Sequence, residues 1–116
     1  MYRIIFKHKP KEGQEGVFID QWQKGSDVIQ TYPGARGTKL FRDRNQSGIL
    51  YAIAEWESTD ARSEAMEKIK ERPDADSVLN GHINYVERHE TFLELDCIAE
   101  SDPPTKTVLT PELNGM

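Results

Sequence analysis

The chain has little of what would take it out of the class of small soluble domains. It has one cysteine, Cys97, so no internal disulfide can form, and a reducing compartment, the cytoplasm, is the expected location. No apolar run reaches the roughly 18 residues of a membrane span. The apolar part of the opening segment, residues 1–10, is too short for a secretory signal. Histidine is scarce: His8, His82 and His89. The last two stand seven apart, which is not a zinc spacing, and no cysteine lies near them, so no metal is expected. Gly34-x-x-Gly37 follows a turn and precedes a strand, not a helix, and is therefore no phosphate loop. Positive charge is not in excess: 15 Lys and Arg face 20 Asp and Glu, a net charge of −5. That argues against non-specific binding to nucleic acid or to an anionic membrane.

What is present suits one domain with a real core. The 116 residues are 36% hydrophobic and 30% charged, long enough to fold without disulfides or a structural metal. Tyr2 to Lys9 alternates, with Tyr2, Ile4, Phe6 and His8 on one face and Arg3, Ile5, Lys7 and Lys9 on the other, which predicts a first strand. From Glu15 to Thr31 the residues Phe18, Trp22 and Ile29 recur at helical offsets, and Tyr32-Pro33-Gly34 ends that helix. Thr38–Arg42 predicts a short second strand, Asn45-Gln46-Ser47-Gly48 a hairpin turn, and Ile49–Glu57 a third strand. Ser58 or Thr59 can cap a second helix whose apolar stripe is Ala61, Ala65, Met66 and Ile69. Pro73 interrupts it, a further helical piece fits residues 75–79, and Glu90–Ile98 predicts a fourth strand in which Cys97 is a small core residue beside Leu93 and Leu95.

The order βαβ-βαβ predicts an α+β, ferredoxin-like split βαβ fold. Its four-stranded antiparallel sheet carries both helices on one face. Residues 1–98 form that domain, and the Pro-rich residues 99–116 read as a flexible or partner-contacting tail. Residues 1–54 hold nine bases and five acids, whereas residues 55–116 hold six bases and fifteen acids. In this fold the first strand lies between the third and fourth, so bases of one unit should pair with acids of the other.

Two helices cover one face only, yet the third strand is apolar on both: Ile49, Tyr51 and Ile53 on one side, Leu50, Ala52, Ala54 and Trp56 on the other. The simplest cover for the second face is the same sheet of another copy, a homodimer. On the helix side, Ala52 and Ala54 leave room beside Trp56. If that face meets Phe18, Trp22 and Met66, the gap is an apolar pocket with an aromatic wall; the alternative is that the two tryptophans fill it.

Several stretches carry a family likeness. They are the opening Tyr2-Arg3-Ile4-Ile5-Phe6-Lys7, Gly13, the Phe18-x-x-x-Trp22 helix, Tyr32-Pro33-Gly34-Ala35-Arg36-Gly37 before the second strand, and Ala54-Glu55-Trp56-Glu57-Ser58 leading into the second helix. Through them residues 1–98 resemble the antibiotic-biosynthesis-monooxygenase-like family of dimeric α/β-barrel proteins. The resemblance implies a dimer whose sheets face one another, with a pocket between sheet and helices in each subunit. Some members oxygenate aromatic polyketides without metal or flavin; others bind and degrade haem. Trp56 matches the third-strand tryptophan that lines the pocket in active members. The haem-degrading members also use an Asn on the first strand and a His on the second helix. Neither is here, and Met66 or its neighbours stand at the distance of that histidine.

The expectation is therefore a monooxygenase-like protein that needs no cofactor and acts on a small aromatic or quinone-like compound. Stabilising an enolate or phenolate needs aimed donors, and Tyr32, Tyr85 and Arg36 are of that type. One of Tyr32, Tyr85 or His82 is the expected proton handler, histidine because its side chain ordinarily titrates near neutral pH. The candidate catalytic residues are Tyr32, His82 and Tyr85, and the candidate substrate contacts are Phe18, Trp22, Trp56, Met66 and Arg36. The rival readings are a non-catalytic module that binds a small apolar ligand and a structural dimer with a filled pocket.

Overall fold

The computed structural model describes residues 1–104. The elements run β1 (Tyr2–Pro10), α1 (Glu15–Ile29), β2 (Ala35–Arg42), β3 (Leu50–Trp56), α2 (Thr59–Lys70), α3 (Ala75–Asn80), a 3-10 turn at Ile83–Tyr85, and β4 (Val86–Asp96). The sheet order is β2-β3-β1-β4 with every neighbouring pair antiparallel. This is the ferredoxin-like α+β arrangement that the sequence predicts. β2 begins earlier than expected because an irregularity between Ala35 and Thr38 lets the chain pair with β3 on both sides of Gly37. β4 begins at Val86, four residues before the alternation becomes legible.

Local chemistry sets the boundaries. The Ser58 hydroxyl accepts from the Ala61 amide at 3.0 Å and caps α2. Asp43 accepts from the amides of Asn45 and Gln46 and shapes the hairpin turn. Gly34 has φ +88°, and a Cβ there would lie 2.5 Å from the Ala61 Cβ. The Tyr-Pro-Gly turn thus presses onto the first turn of α2 and can do so only with glycine.

The inner face of the sheet carries two buried clusters. Tyr2, Ile4, Trp56 and Ala65 form one, with Ile29, Tyr32 and Met66 packed against it. Phe18, Leu50 and Val86 form the other, with Trp22, Ile83 and Tyr85 against it. Phe18 and Ile69 are fully enclosed. In the first cluster the Tyr2 hydroxyl donates to Glu94 on β4. Burial, and then that carboxylate, push the phenol up to about 12.

The outer face differs from expectation in one place. Between Ile5 and Phe6 the β1–β4 register slips past Phe92. Phe92 therefore joins Leu93 and Leu95 on the outer side, where its ring meets Tyr51 at 5.6 Å and Lys7 sits 5.5 Å from its centre. Strict alternation along β4 would put it with Glu94 and Asp96 on the opposite side. Phe41, Phe92, Leu93 and Leu95 are each close to half exposed. Cys97 is exposed rather than in the core, because it lies just beyond β4 with no element over it. Residues 97–104 have no regular secondary structure, and residues 105–116 of the expected tail lie outside the described residues.

Arg3–Glu55, Lys9–Glu87 and Arg36–Glu57 each join a base of the first half to an acid of the second. Such exposed pairs are worth roughly 0–1 kcal/mol each, so they favour the register without driving it. Among the described residues no helix is long and apolar enough to cross a membrane.

One substitution should have opposite effects at two sites on α1. A Cβ at Gly25 would sit 2.4 Å from the Val78 carbonyl oxygen of α3, whereas one at Gly16 meets nothing within 4 Å. Gly25→Ala should cost about 1–3 kcal/mol by forcing α1 and α3 apart. Gly16→Ala should be neutral or gain up to about 1 kcal/mol from helix propensity. Urea unfolding midpoints check the pair, and equal midpoints would contradict the close crossing.

Candidate functional site

The site follows from how large and small residues meet on the inner face. Ile4 pairs with Ala54 and Phe6 with Ala52, whereas Tyr2 pairs with Trp56 and His8 with Leu50. Bulk stands at the two ends of the β1–β3 ladder and alanines stand between. The helices rest on the ends, and a cavity of about 360 Å³ remains over the middle. That is near the lower end of small-molecule sites. Its β1 wall runs Ile4, Phe6, His8, about 13 Å along the strand. Trp22 of α1, Trp56 of β3 and Met66 of α2 supply apolar walls. Asn80 and His89, both exposed, mark its open side below β4. Arg62 and Gln30 are the longer polar side chains in its wall.

One end of the cavity is built of histidine. His8 on β1 lies opposite His89 on β4 in register, with ring centres 6.5 Å apart. His82, in the turn after α3, sets its ring edge-on to His8 at 5.5 Å. Phe18 backs both, at 5.1 Å from His8 and 5.8 Å from His82. His8 is only 4% exposed, and its Nδ1 is enclosed without a hydrogen-bond partner. Burial, and secondarily the neighbouring His82 and His89, push His8 down to about 4. Burial, then His89, also lowers His82. Both imidazoles are thus held neutral at physiological pH. Among the described residues, no three His, Cys, Asp or Glu side chains are placed to hold a metal ion.

Of the residues singled out from sequence, Trp22, Trp56, Met66 and His82 come together around this cavity. The other four lie outside its lining. Phe18 stands behind the histidines. Tyr32 packs against the Trp56 cluster, and its hydroxyl accepts from Arg72 at 3.4 Å. Tyr85 packs against the Phe18 cluster. Arg36 reaches along the surface to Glu57 at 2.6 Å. Sequence reasoning passed over His8, His89, Thr38 and Thr91 as wall residues. For His8 a signal existed, since it shares the inward face of β1 with Tyr2, Ile4 and Phe6.

The cavity is thus a partly open slot with indole walls and a histidine end on a ferredoxin-like frame. The model of the antibiotic biosynthesis monooxygenase family matches residues 1–72, more than half of the chain. The chain belongs to that family. Its fold is similar to that of a variant of SnoaB, a cofactor-independent oxygenase from Streptomyces nogalater, at 17% identity and TM-score 0.66, covering 85% of this chain and 97% of that one. Rv0793 from Mycobacterium tuberculosis superposes at TM-score 0.68 with 14% identity, covering 87% of this chain and 98% of the other. PA3566 from Pseudomonas aeruginosa does so at TM-score 0.65 with 14% identity, covering 84% and 94%. At such identities the likeness establishes the fold alone. No curated protein sequence matches the chain.

The buried histidine makes stability depend on pH. In the unfolded chain His8 takes up a proton near pH 6.5; in the folded chain it does so only near 4. Between those values the unfolded state binds more protons, so stability rises with pH. His8's contribution is complete above pH 6.5 and is lost as pH falls toward 4, a change on the order of 3 kcal/mol. Thermal unfolding from pH 7.5 to 4 should show a falling Tm, and the slope should be shallower in His8→Phe. Parallel slopes for the two proteins would contradict a buried neutral His8.

Proposed function

We propose that this chain is a cofactor-independent monooxygenase-like enzyme acting on a small aromatic or quinone-like compound. The observation that carries the reading is the slot itself: indole walls end at imidazoles held neutral by burial. Membership of the antibiotic biosynthesis monooxygenase family supports it, as does the shared fold with a cofactor-independent oxygenase.

In this reading Trp22, Trp56 and Met66 hold the ring plane, and His82 accepts a proton from the substrate. The resulting carbanion or phenolate is the reductant. It gives an electron to dioxygen, the radical pair combines to a peroxide, and the peroxide loses water. For an anthrone, one oxygen atom ends in the new carbonyl. The other leaves as water with the two hydrogens of the oxidised carbon. Tyr32 and Tyr85 lie behind the lining and support the wall, so proton transfer falls to His82. Arg36, paired with Glu57 on the surface, is given no part in the chemistry.

The protein acts as a homodimer through its sheet faces. Phe41, Phe92, Leu93 and Leu95 lie nearly half exposed on the uncovered side, and Ile5 and Ile53 share that face through the register. A two-fold contact between two such faces is self-complementary, and it covers apolar surface that a monomer would leave to water. A reducing cytoplasm suits the single exposed thiol of Cys97.

Two measurements test the proposal. Oxygen uptake should appear with anthrone or quinol substrates and fall at least tenfold in Trp56→Ala, while Arg36→Ala keeps its rate. Ligand binding without oxygen uptake would mean a non-catalytic module. Separately, light scattering at low micromolar concentration should give a dimer mass, and Leu93→Asp should shift it toward monomer. A wild-type monomer there would sink the assembly.

A further inference from the structure

Three imidazoles from three different elements meet at one end of the cavity, and no counter-charge stands with them. His8 of β1 and His89 of β4 face one another in the sheet, with ring centres 6.5 Å apart. His82, in the turn after α3, lies 5.5 Å from His8. Among the described residues no Asp or Glu lines the cavity, and the other charged group in its wall is Arg62 of α2, itself positive. The charges of the surrounding elements are engaged elsewhere. On β1, Lys9 pairs with Glu87 and Lys7 lies over Phe92. On β4, Arg88 and Glu90 stand opposite Lys9 and Lys7 in register. On α1, Glu15 binds Arg42, and Asp20 binds Lys24. Asp76 of α3 accepts from Asn80, and Asp74 before it pairs with Arg72. Lys11 donates to the Asn84 carbonyl beyond His82, and β3 sets Leu50 against His8. An imidazolium donates at both nitrogens, and the enclosed Nδ1 of His8 has no partner. A proton added to His8 in the closed cluster thus meets neither an acceptor at Nδ1 nor a carboxylate.

Of the three rings, His82 sits on the part that can move. His8 and His89 are fixed in adjacent, paired strands. Residues 75–85 are short pieces: α3, of 6 residues, and then the 3-10 turn. α3 follows Pro73, which has no N–H to carry on the hydrogen-bond ladder of α2. It has no side-chain cap, and Val78 is its one fully buried residue. We propose that His8, His82 and His89 form a proton-operated latch: near neutrality the packed rings hold residues 75–85 over one end of the cavity, and on acidification their mutual repulsion frees that segment and widens the cavity there. The open form hydrates His8 and His82, so it takes up protons that the closed form refuses, and acid favours it. Phe18, which backs both rings, is the seat to which His82 returns. The latch depends on the cluster and the cavity alone, not on any oxygen chemistry there.

The test is native-state hydrogen exchange at pH 7.5 and 5.0, followed by NMR and corrected for intrinsic rates. The reporters are the amides of Val78, Gly81 and Tyr85, which donate to the carbonyls of Asp74, Ser77 and His82. Amides in the β1–β3 ladder report global unfolding. His8 is held down to about 4 when closed and titrates near 6.5 when open, so opening should become roughly thirtyfold more frequent at pH 5.0 than at pH 7.5. The three reporters should lose protection by about that factor. They should also exchange at least tenfold faster than the ladder amides at both pH values, the mark of a local opening. His8→Phe keeps a ring beside Phe18 and should make the loss at least fivefold smaller. The wild-type data decide the matter even if that variant fails to fold. Reporters that exchange at the same rate as the ladder at both pH values signal global unfolding alone and overturn the latch. Protection that stays constant between the two pH values overturns it as well. An undiminished loss in folded His8→Phe takes the cause away from the cluster and has the same consequence.

Discussion

The register of β1 on β3 is the constraint from which the rest follows. Because Ile4 and Phe6 face Ala54 and Ala52, while Tyr2 faces Trp56 and His8 faces Leu50, the inner surface of the sheet is high at its ends and low in its middle. Helices laid across such a surface touch it at the ends. The two buried clusters, one around Trp56 and one around Phe18, are those supports, and the cavity is the span between them. Sliding β3 by one residue would turn its alanines outward and remove the cavity altogether. The cross-strand pair Arg3–Glu55 opposes such a slip weakly. The alternation of buried and exposed side chains opposes it strongly.

An enclosed His8 is costly to hold, since a buried polar atom without a partner costs about 1–3 kcal/mol and the imidazole must also give up its proton. Leucine or phenylalanine would pack that position better. A group kept in so unfavourable a state belongs to a site more readily than to a core. The same burial that costs stability keeps both His8 and His82 uncharged at physiological pH. Stability and the chemistry of the site are thus opposed at a single residue.

The outer face has a different logic. β4 is an edge strand with helices over neither side, and after Val86 every residue of it is exposed. A bulge at Phe92 gathers Phe92, Leu93 and Leu95 on the side away from the helices. Soluble domains seldom leave such a patch uncovered, so the fold and the proposed dimer are parts of one arrangement.

Much of this was legible in the chain. Period-two and period-3.6 patterns mark all four strands and both long helices, Pro33 and Pro73 mark where helices stop, and Ala52 and Ala54 beside Trp56 signal a gap. Those features are local, and local patterns survive into the structure because burying the apolar face of each element is what stabilises it. The site was legible only in part. Trp22, Trp56, Met66 and His82 were found because aromatic bulk and titratable chemistry stand out along the chain. Tyr32, Tyr85 and Arg36 have the right chemistry, but the tertiary packing turns them toward Arg72, the Phe18 cluster and Glu57. The bulge that reorients Phe92, the exposure of Cys97 and the meeting of His8, His82 and His89 depend on which strand lies beside which and where its register slips. Residues 8, 82 and 89 share one end of the cavity only because β4 folds back along β1, a long-range pairing that no short window of sequence contains.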